Sequence, residues 1–173
     1  MLLHTIFYYF YTLKLRRMKV VLLVIGKTDT GYWKDALDDY SERLRHYIPF
    51  EIDVIKDLKN ARNSTEAQQK EEEGRLILKS LRTGDECILL DVRGKEFSSI
   101  QFASYVEKKF QLPFKRLVFV IGGPYGFSDE VYLRASERLS LSKMTFSHQM
   151  IRSFFVEQLY RAMTILRGEG YHN

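Results

Sequence analysis

Two segments in the C-terminal half of the chain hold residue types that could bind a ligand and move a proton. The first is an apolar run that ends at Ile121 and continues as Gly122-Gly123-Pro124-Tyr125-Gly126. Glycines at a strand end let a ligand approach the backbone closely, and a proline fixes the turn that follows. Glycines are also common in ordinary strand-to-helix turns. This segment therefore becomes a candidate site only together with the second.

The second segment runs from Leu139 to Arg152 and brings an imidazole and a guanidinium to the start of a predicted helix. Histidine is the side chain best suited to accept a proton near neutral pH, which makes His148 a candidate general base. Arg152 lies one helical turn further on, on the same helix face, where it could hold a phosphate. A lone histidine can equally be structural, and that interpretation stays open.

Strands and helices alternate along the chain, which indicates an α/β fold with a largely parallel sheet flanked by helices. Apolar or alternating runs predict strands at 20–25, 50–55, 87–90, 117–121 and 139–141, and a helix follows each of them. Residues 91–95 are predicted to form a loop. Parallel strands place their carboxyl ends at one edge of the sheet, where ligands bind. The two segments should therefore form one cleft.

The composition fits one globular domain, since the chain has 173 residues of which 45% are hydrophobic. We expect this domain to span 18–173, because a buried-strand pattern begins directly after Met18. Residues 1–17 are predicted to be an extension outside the native domain. Their basic residues follow the apolar stretch, the reverse of a signal peptide, and that stretch is shorter than the about 20 residues that span a bilayer.

Charge and missing motifs narrow the classes of ligand. The net charge of +5 permits a polyanionic partner without requiring one. The four histidines are far apart, so no metal site is predicted. The single cysteine, Cys87, lies in an apolar run and is expected to be buried and reduced. Neither the Rossmann nor the P-loop glycine pattern occurs, so a nucleotide-like cofactor would have to bind by another route.

Together, the two segments resemble one family, the ribosomal RNA large subunit methyltransferase H family of the SPOUT superfamily. The resemblance covers 18–173, and its most specific strings are Ile121-Gly122-Gly123-Pro124 and Ser142–Phe146 followed by His148-Gln149-Met150. It implies a C-terminal trefoil knot and S-adenosylmethionine held by three loops. It also implies methyl transfer to N3 of a pseudouridine in 23S rRNA within the assembled 70S ribosome.

The functional positions of that family can be carried onto this sequence residue by residue. The resemblance implies that the cofactor is bound by Leu90, Gly122, Leu141, Ser142, Lys143, Met144, Thr145 and Phe146. We assign His148 the role of general base, and Arg152 the stabilisation of a developing anion or a substrate phosphate. The C-terminal pair Tyr171 and His172 matches the family and is expected to contact the substrate.

Two positions depart from the family pattern. Ser147 stands where relatives carry proline, and a looser loop before His148 is the expected consequence. Asn173 replaces a basic residue at the C-terminus.

The predicted last helix, 151–167, is apolar around most of its circumference. Such a helix is either central or part of a subunit interface, and the resemblance favours a homodimer. A cytoplasmic enzyme with no membrane or metal partner is the resulting expectation. Two other functions stay open, a non-catalytic ribosome-binding factor and a SPOUT methyltransferase that acts on another RNA such as tRNA.

Overall fold

The computed structural model describes residues 18–29, 31–58 and 64–172. The predicted N-terminal extension, 1–17, lies outside these residues. In chain order the elements are β1 (Lys19–Ile25), α1 (Tyr32–Arg45), β2 (Phe50–Ile55), α2 (Glu66–Ser80), β3 (Glu86–Glu96), α3 (Ser99–Gln111), β4 (Arg116–Ile121), α4 (Asp129–Arg134), β5 (Glu137–Ser140) and α5 (Met150–Leu166). A 3₁₀ turn at Gly170–His172 follows.

The five strands form one sheet in the order β2-β1-β4-β3-β5, and every strand pair is parallel. This confirms the predicted α/β fold with a parallel sheet. β1 and β4 each have a neighbouring strand on both sides and helices on both faces, which explains why their sequences are almost uninterrupted apolar runs. The trefoil knot stays a prediction.

The helices divide between the two faces of the sheet. Val20, Leu22 and Val24 of β1 pack with apolar residues of α1, α3 and α5. The alternate residues Val21 and Leu23 pack with residues of α2 and α4. A strand sends successive side chains to opposite faces, so β1 contributes to both layers of the core. Among the described residues, no helix combines the length and apolarity needed to cross a bilayer.

One predicted boundary is wrong, because residues 91–95 are part of β3 and not a loop. The strand continues to Glu96 past an irregularity, and Leu139 of β5 lies opposite both Leu90 and Lys95. At Gly94 the two backbones come so close that a Cβ would lie 2.5 Å from the backbone N and C of Leu139. Position 94 needs glycine for this close approach between strands.

The starts of α2 and α3 are each fixed by a reciprocal pair of hydrogen bonds between a side chain and a backbone amide. The Thr65 hydroxyl accepts the Gln68 amide at 3.2 Å, and the Gln68 side chain accepts the Thr65 amide at 2.9 Å. Ser98 and Gln101 form the same reciprocal pair at the start of α3. These caps satisfy amides that a helix start would otherwise leave without partners.

Candidate functional site

A cavity of about 600 Å³ lies at the carboxyl edge of the sheet, where β3, β4 and β5 are neighbours. Its walls come from three segments, namely β3 around Leu90, the turn after β4 and the loop after β5. The cavity brings together seven of the eight predicted cofactor residues, together with His148: Leu90, Gly122, Leu141, Ser142, Met144, Thr145 and Phe146. The two segments singled out by their residue types thus lie against one cleft.

Lys143 is the predicted cofactor residue whose side chain is placed elsewhere. It is 85% exposed and lies 3.8 Å from the carboxylate of Glu96. The flanking residues Ser142 and Met144 line the cavity. Any contribution of Lys143 to a ligand would therefore come from its backbone.

The turn after β4 is closed by a backbone hydrogen bond and packs against a side chain of α2. The amide of Gly126 donates to the carbonyl of Gly123 at 3.2 Å, which closes the turn. Beneath it lies Glu73 of α2, whose carboxyl occupies the space next to the Gly123 Cα. A side chain at position 123 would therefore displace the turn or the carboxyl, so this turn depends on having glycine there.

Glu73 is a buried acid that the sequence did not single out. It is 2% exposed, its Oε1 accepts the Gln69 amide nitrogen at 2.9 Å, and its Oε2 has no partner within the described residues. Burial raises the pKa of Glu73, the Gln69 hydrogen bond lowers it, and the negative charge of Asp57 raises it, with a raised pKa as the result. Its position in α2, remote in sequence from the turn, gave no signal of the contact.

The loop after β5 is held by its own serines. The Ser140 hydroxyl donates to the Ser142 carbonyl at 2.8 Å, and the Ser142 hydroxyl accepts the Met144 amide at 3.0 Å. Ser147 accepts the amide of Met150 at 3.3 Å and, through its carbonyl, that of Ile151 at 3.0 Å. Ser147 thus holds the start of α5 through its hydroxyl and its carbonyl, and the looser loop expected where relatives carry proline stays a prediction.

His148 lies on the cavity wall, is exposed, and comes two residues before the first residue of α5. Its neighbour Gln149 ties that helix start to the loop after β1. The Gln149 side chain accepts the Asp29 amide at 3.0 Å and donates to the Lys27 carbonyl at 3.2 Å. The backbone that carries His148 is thus fixed on the side of β1.

Arg152 is not a cavity residue, contrary to the expected contact with substrate. It is 1% exposed, and its guanidinium donates to the carbonyls of Ile25 and Gly26 and to the Thr28 hydroxyl, the latter two at 3.0 Å. Burial lowers its pKa, and the charges of Asp57 and Asp29 oppose that shift. The helix places Arg152 one turn after His148 as predicted, but this face packs onto the end of β1, so no substrate phosphate reaches it here.

Tyr171 is also remote from the cavity within one chain. Its hydroxyl donates to the Glu157 carboxylate at 3.0 Å and lies 3.1 Å from the hydroxyl of Tyr40. Arg161 packs over its ring, 4.7 Å from the centroid. The side chain of His172 and the whole of Asn173 lie outside the part of the chain that the structure describes.

A charged cluster on the cavity wall was missed by the sequence interpretation. Asp91 of β3 accepts the Arg93 amide at 2.8 Å and the hydroxyl of Tyr132 from α4, and the Arg93 guanidinium donates to that hydroxyl. Burial raises the pKa of Asp91, but the hydrogen bonds from Tyr132 and Arg93 outweigh it and leave the pKa below its ordinary value. Tyr132, which joins Asp91 and Arg93, comes from α4 and is remote from them in sequence.

An apolar groove of about 210 Å³ adjoins the cavity and shares five lining residues with it, Leu139, Ser140, Leu141, Phe146 and Ile151. Phe154 of α5 forms part of its wall and is 41% exposed. The groove is lined by Phe97, Phe102, Leu139, Ser140, Leu141, Phe146, Ile151, Phe154 and Gln158. Within the described ranges, no group of histidine, cysteine, aspartate or glutamate side chains is arranged to hold a metal ion.

Comparison with known proteins gives concordant matches over nearly the whole described chain. A family model described as predicted SPOUT methyltransferase matches residues 18–172. The chain is 64% identical over 156 residues to a protein of Parabacteroides distasonis named ribosomal RNA large subunit methyltransferase H, covering 90% of this chain and 99% of that one. Proteins of Phocaeicola vulgatus and Flavobacterium psychrophilum with the same name are 56% and 53% identical over the same shares.

The fold has a counterpart among solved structures. A probable methyltransferase from Bordetella pertussis superposes with a TM-score of 0.53 and covers 90% of this chain and 99% of its own. The two sequences are 9% identical, so this likeness concerns the fold alone.

Proposed function

Since the chain belongs to the SPOUT methyltransferase family, we propose that it transfers a methyl group from S-adenosylmethionine to large-subunit ribosomal RNA. The observation that carries the proposal is the single cavity at the carboxyl edge of the sheet, formed by the turn after β4, the loop after β5 and His148. The names of relatives that are 53–64% identical support the ribosomal RNA substrate.

The cavity fits an adenosyl ligand in size and in chemistry. Its volume of about 600 Å³ lies within the range of small-molecule sites. Leu90, Leu141 and Phe146 supply apolar walls, while the turn at Gly122 and the loop of Ser142–Thr145 offer backbone groups. Bound there, S-adenosylmethionine supplies a methyl group already activated by its sulfonium. The protein then has to align that group with the acceptor atom.

The acceptor that we propose is N3 of a pseudouridine in 23S rRNA. N3 carries a proton in the neutral base, and this proton must leave before the nitrogen lone pair can attack the methyl carbon. His148 lies on the cavity wall and is exposed, so its imidazole is the group that we assign to accept the N3 proton. The target base has to leave its stack to enter the cavity.

Arg152 has a different proposed role from His148. Its guanidinium holds the end of β1 from within the core, and Gln149 holds the following loop. We assign both the positioning of the helix start that carries His148. This role replaces the expected contact of Arg152 with a phosphate or a developing anion.

The proposed active form is a homodimer. The apolar groove beside the cavity includes Phe154, which is exposed in the single chain. Covering this groove with a second copy would remove apolar surface from water. It would also border the cavity with residues of the other copy, a requirement if Tyr171 and His172 are to contact substrate, because Tyr171 is remote from the cavity of its own chain.

The assembled 70S ribosome is the proposed substrate particle and the cytoplasm the proposed location. A single small domain with a net charge of +5 has little surface for reading RNA sequence. If the protein recognises the assembled ribosome, it does not need to read RNA sequence, because the shape of the ribosome restricts which nucleotide can reach the cavity.

The experiment that tests the proposed function supplies tritiated S-adenosylmethionine with 70S ribosomes, isolated subunits, free 23S rRNA and tRNA, and maps the label. Label at one pseudouridine of 23S rRNA in the 70S sample supports the proposal. Label in tRNA would favour a SPOUT enzyme with another target. If no RNA is labelled and calorimetry detects no binding of S-adenosylmethionine, a non-catalytic ribosome-binding factor becomes the better interpretation.

A further inference from the structure

Two arginines pack on the ring of Tyr132 at the cavity wall. The guanidinium carbon of Arg93 lies 5.1 Å from the ring centroid, and that of Arg138 lies 5.5 Å from it. Arg93 and Tyr132 themselves line the cavity. Cations within about 6 Å of an aromatic ring are attracted to its face, so one side chain of α4 orders two guanidinium groups.

These residues lie on one face of the sheet, the face that α2 and α4 cover. Tyr132 of α4 packs against the core layer of that face, and Asp91 and Arg93, in the irregular part of β3, both bond to its hydroxyl. In β5, Leu139 packs in the opposite layer, so its neighbour Arg138 points toward α4.

The carboxylates around the cluster leave one guanidinium without an acidic partner. Asp91 pairs with Arg93, and Glu137, next to Arg138 in sequence, pairs with Lys109 on the other face. For the described residues, no ion pair or hydrogen bond engages the guanidinium of Arg138, whose side chain is exposed. Arg93, Arg138 and Asp91 sum to a net charge of +1, and Lys70 and Asp129 on the cavity wall cancel each other.

A planar guanidinium that is ordered, exposed and without a carboxylate suits a phosphate, which it can bind through two parallel hydrogen bonds. The attraction of an exposed arginine to an aromatic ring is weak, and it leaves the N–H donors of the Arg138 guanidinium free to bind a ligand. The cluster borders the cavity that would receive the target base. A phosphate bound here would therefore belong to a nucleotide close to that base.

We propose that Arg93 and Arg138, ordered by Tyr132, bind a backbone phosphate of the RNA substrate beside the nucleotide to be methylated. The inference rests on the proposed function for the identity of the RNA. The site itself is a phosphate site on the wall of the cavity, separate from the residues that hold the methyl donor and from His148.

The test compares Arg138→Gln with Arg138→Lys and with the control Arg75→Gln, an exposed arginine of α2. With 70S ribosomes as substrate, Arg138→Gln should raise KM by roughly three- to tenfold and leave kcat, S-adenosylmethionine affinity and melting temperature near wild type. Arg138→Lys should lie between, because it keeps the charge and loses the planar fork. Filter binding of ribosomes at several salt concentrations should give Arg138→Gln a salt slope smaller by about one.

Equal KM and salt slope for Arg138→Gln and wild type would overturn the phosphate site, as would an equal effect of Arg75→Gln. The binding measurement keeps this test apart from the proposed function. If wild type methylates no RNA but its binding to ribosomes still depends on Arg138, the phosphate site stands and the proposed reaction fails.

Discussion

The carboxyl group of Glu73 fills the space that a side chain at Gly123 would occupy. A Cβ at position 123 would lie 2.2 Å from Oε2 and 2.7 Å from Oε1 of Glu73. α2 thus packs directly against the turn after β4, which lines the cavity. The requirement for glycine at position 123 comes from this contact.

We expect Gly123→Ala to weaken the binding of S-adenosylmethionine, because the added methyl group must push the turn toward the cavity or move a buried carboxyl. Calorimetric titration of the folded variant measures this, with Gly170→Ala as control, since a Cβ at Gly170 meets nothing within 4 Å. The double variant Gly123→Ala, Glu73→Ala should recover part of the lost affinity. Additive losses in the double variant would contradict the proposed contact.

Glu73→Gln should stabilise the protein at neutral and higher pH. Burial raises the pKa of Glu73, and despite the opposing hydrogen bond from Gln69 it lies above the ordinary value. An acid whose pKa is higher in the folded than in the unfolded state contributes stability below the unfolded pKa, and that contribution is lost as pH rises through the folded value. The difference in melting temperature between Glu73→Gln and wild type should therefore grow with pH and vanish in acid. If the difference in melting temperature were constant across pH, the pKa of Glu73 would be the same in the folded and unfolded states, which would contradict the prediction.

The strands and most helix starts could be predicted from sequence because their signals are local. The buried runs of β1 and β4 and the capping pairs of Thr65 and Ser98 depend on neighbours within a few residues. β3 differs, because it continues past an irregularity at 91–94 to a second pairing with β5, in which Lys95 lies opposite Leu139. No local pattern contains the information that Leu139 lies against Gly94.

The candidate site likewise contains residues that local patterns predict and residues that only tertiary packing brings there. The residues around Gly122 and His148 line one cavity. The sequence could predict this because the end of a strand and the start of a helix have local sequence patterns. Whether Arg152 faces the cavity or the core depends on how α5 is rotated against β1, and helical spacing alone does not give that rotation. Glu73, Arg138 and Tyr132 reach the site only through tertiary packing.

Aspartate substitutions at Phe154 and Phe155 should distinguish a residue of the proposed dimer interface from a residue of the core. Phe154 is 41% exposed and lines the apolar groove, whereas Phe155 is fully buried against Phe119 and Phe102. Phe154→Asp is expected to give a folded monomer, since a charge without a partner cannot be covered by a second copy. Phe155→Asp should unfold the chain, because the folded subunit would have to bury a charge that has no partner. Sedimentation velocity and circular dichroism measure both, and a native dimer from Phe154→Asp would place the interface elsewhere.

The chemical role of His148 depends on its placement on the cavity wall at the start of α5. General-base assistance contributes typically about 10²–10⁴-fold in rate. His148→Ala should therefore lower the single-turnover rate of methylation by that range while the affinity for S-adenosylmethionine and the melting temperature stay close to wild type. Rapid-quench measurement with enzyme in excess over ribosomes isolates this step from product release.

Two variants make the result specific to that histidine. His46→Ala removes an exposed histidine at the end of α1 and should keep the wild-type rate. Arg152→Ala should lower the melting temperature, because the carbonyls of Ile25 and Gly26 lose their buried donors. Arg152→Ala should affect the methylation rate only through the position of His148. Arg152→Lys should therefore restore part of the melting temperature and part of the rate. If His148→Ala keeps a near-native single-turnover rate, another group removes the N3 proton, and His148 is a structural residue at a helix start.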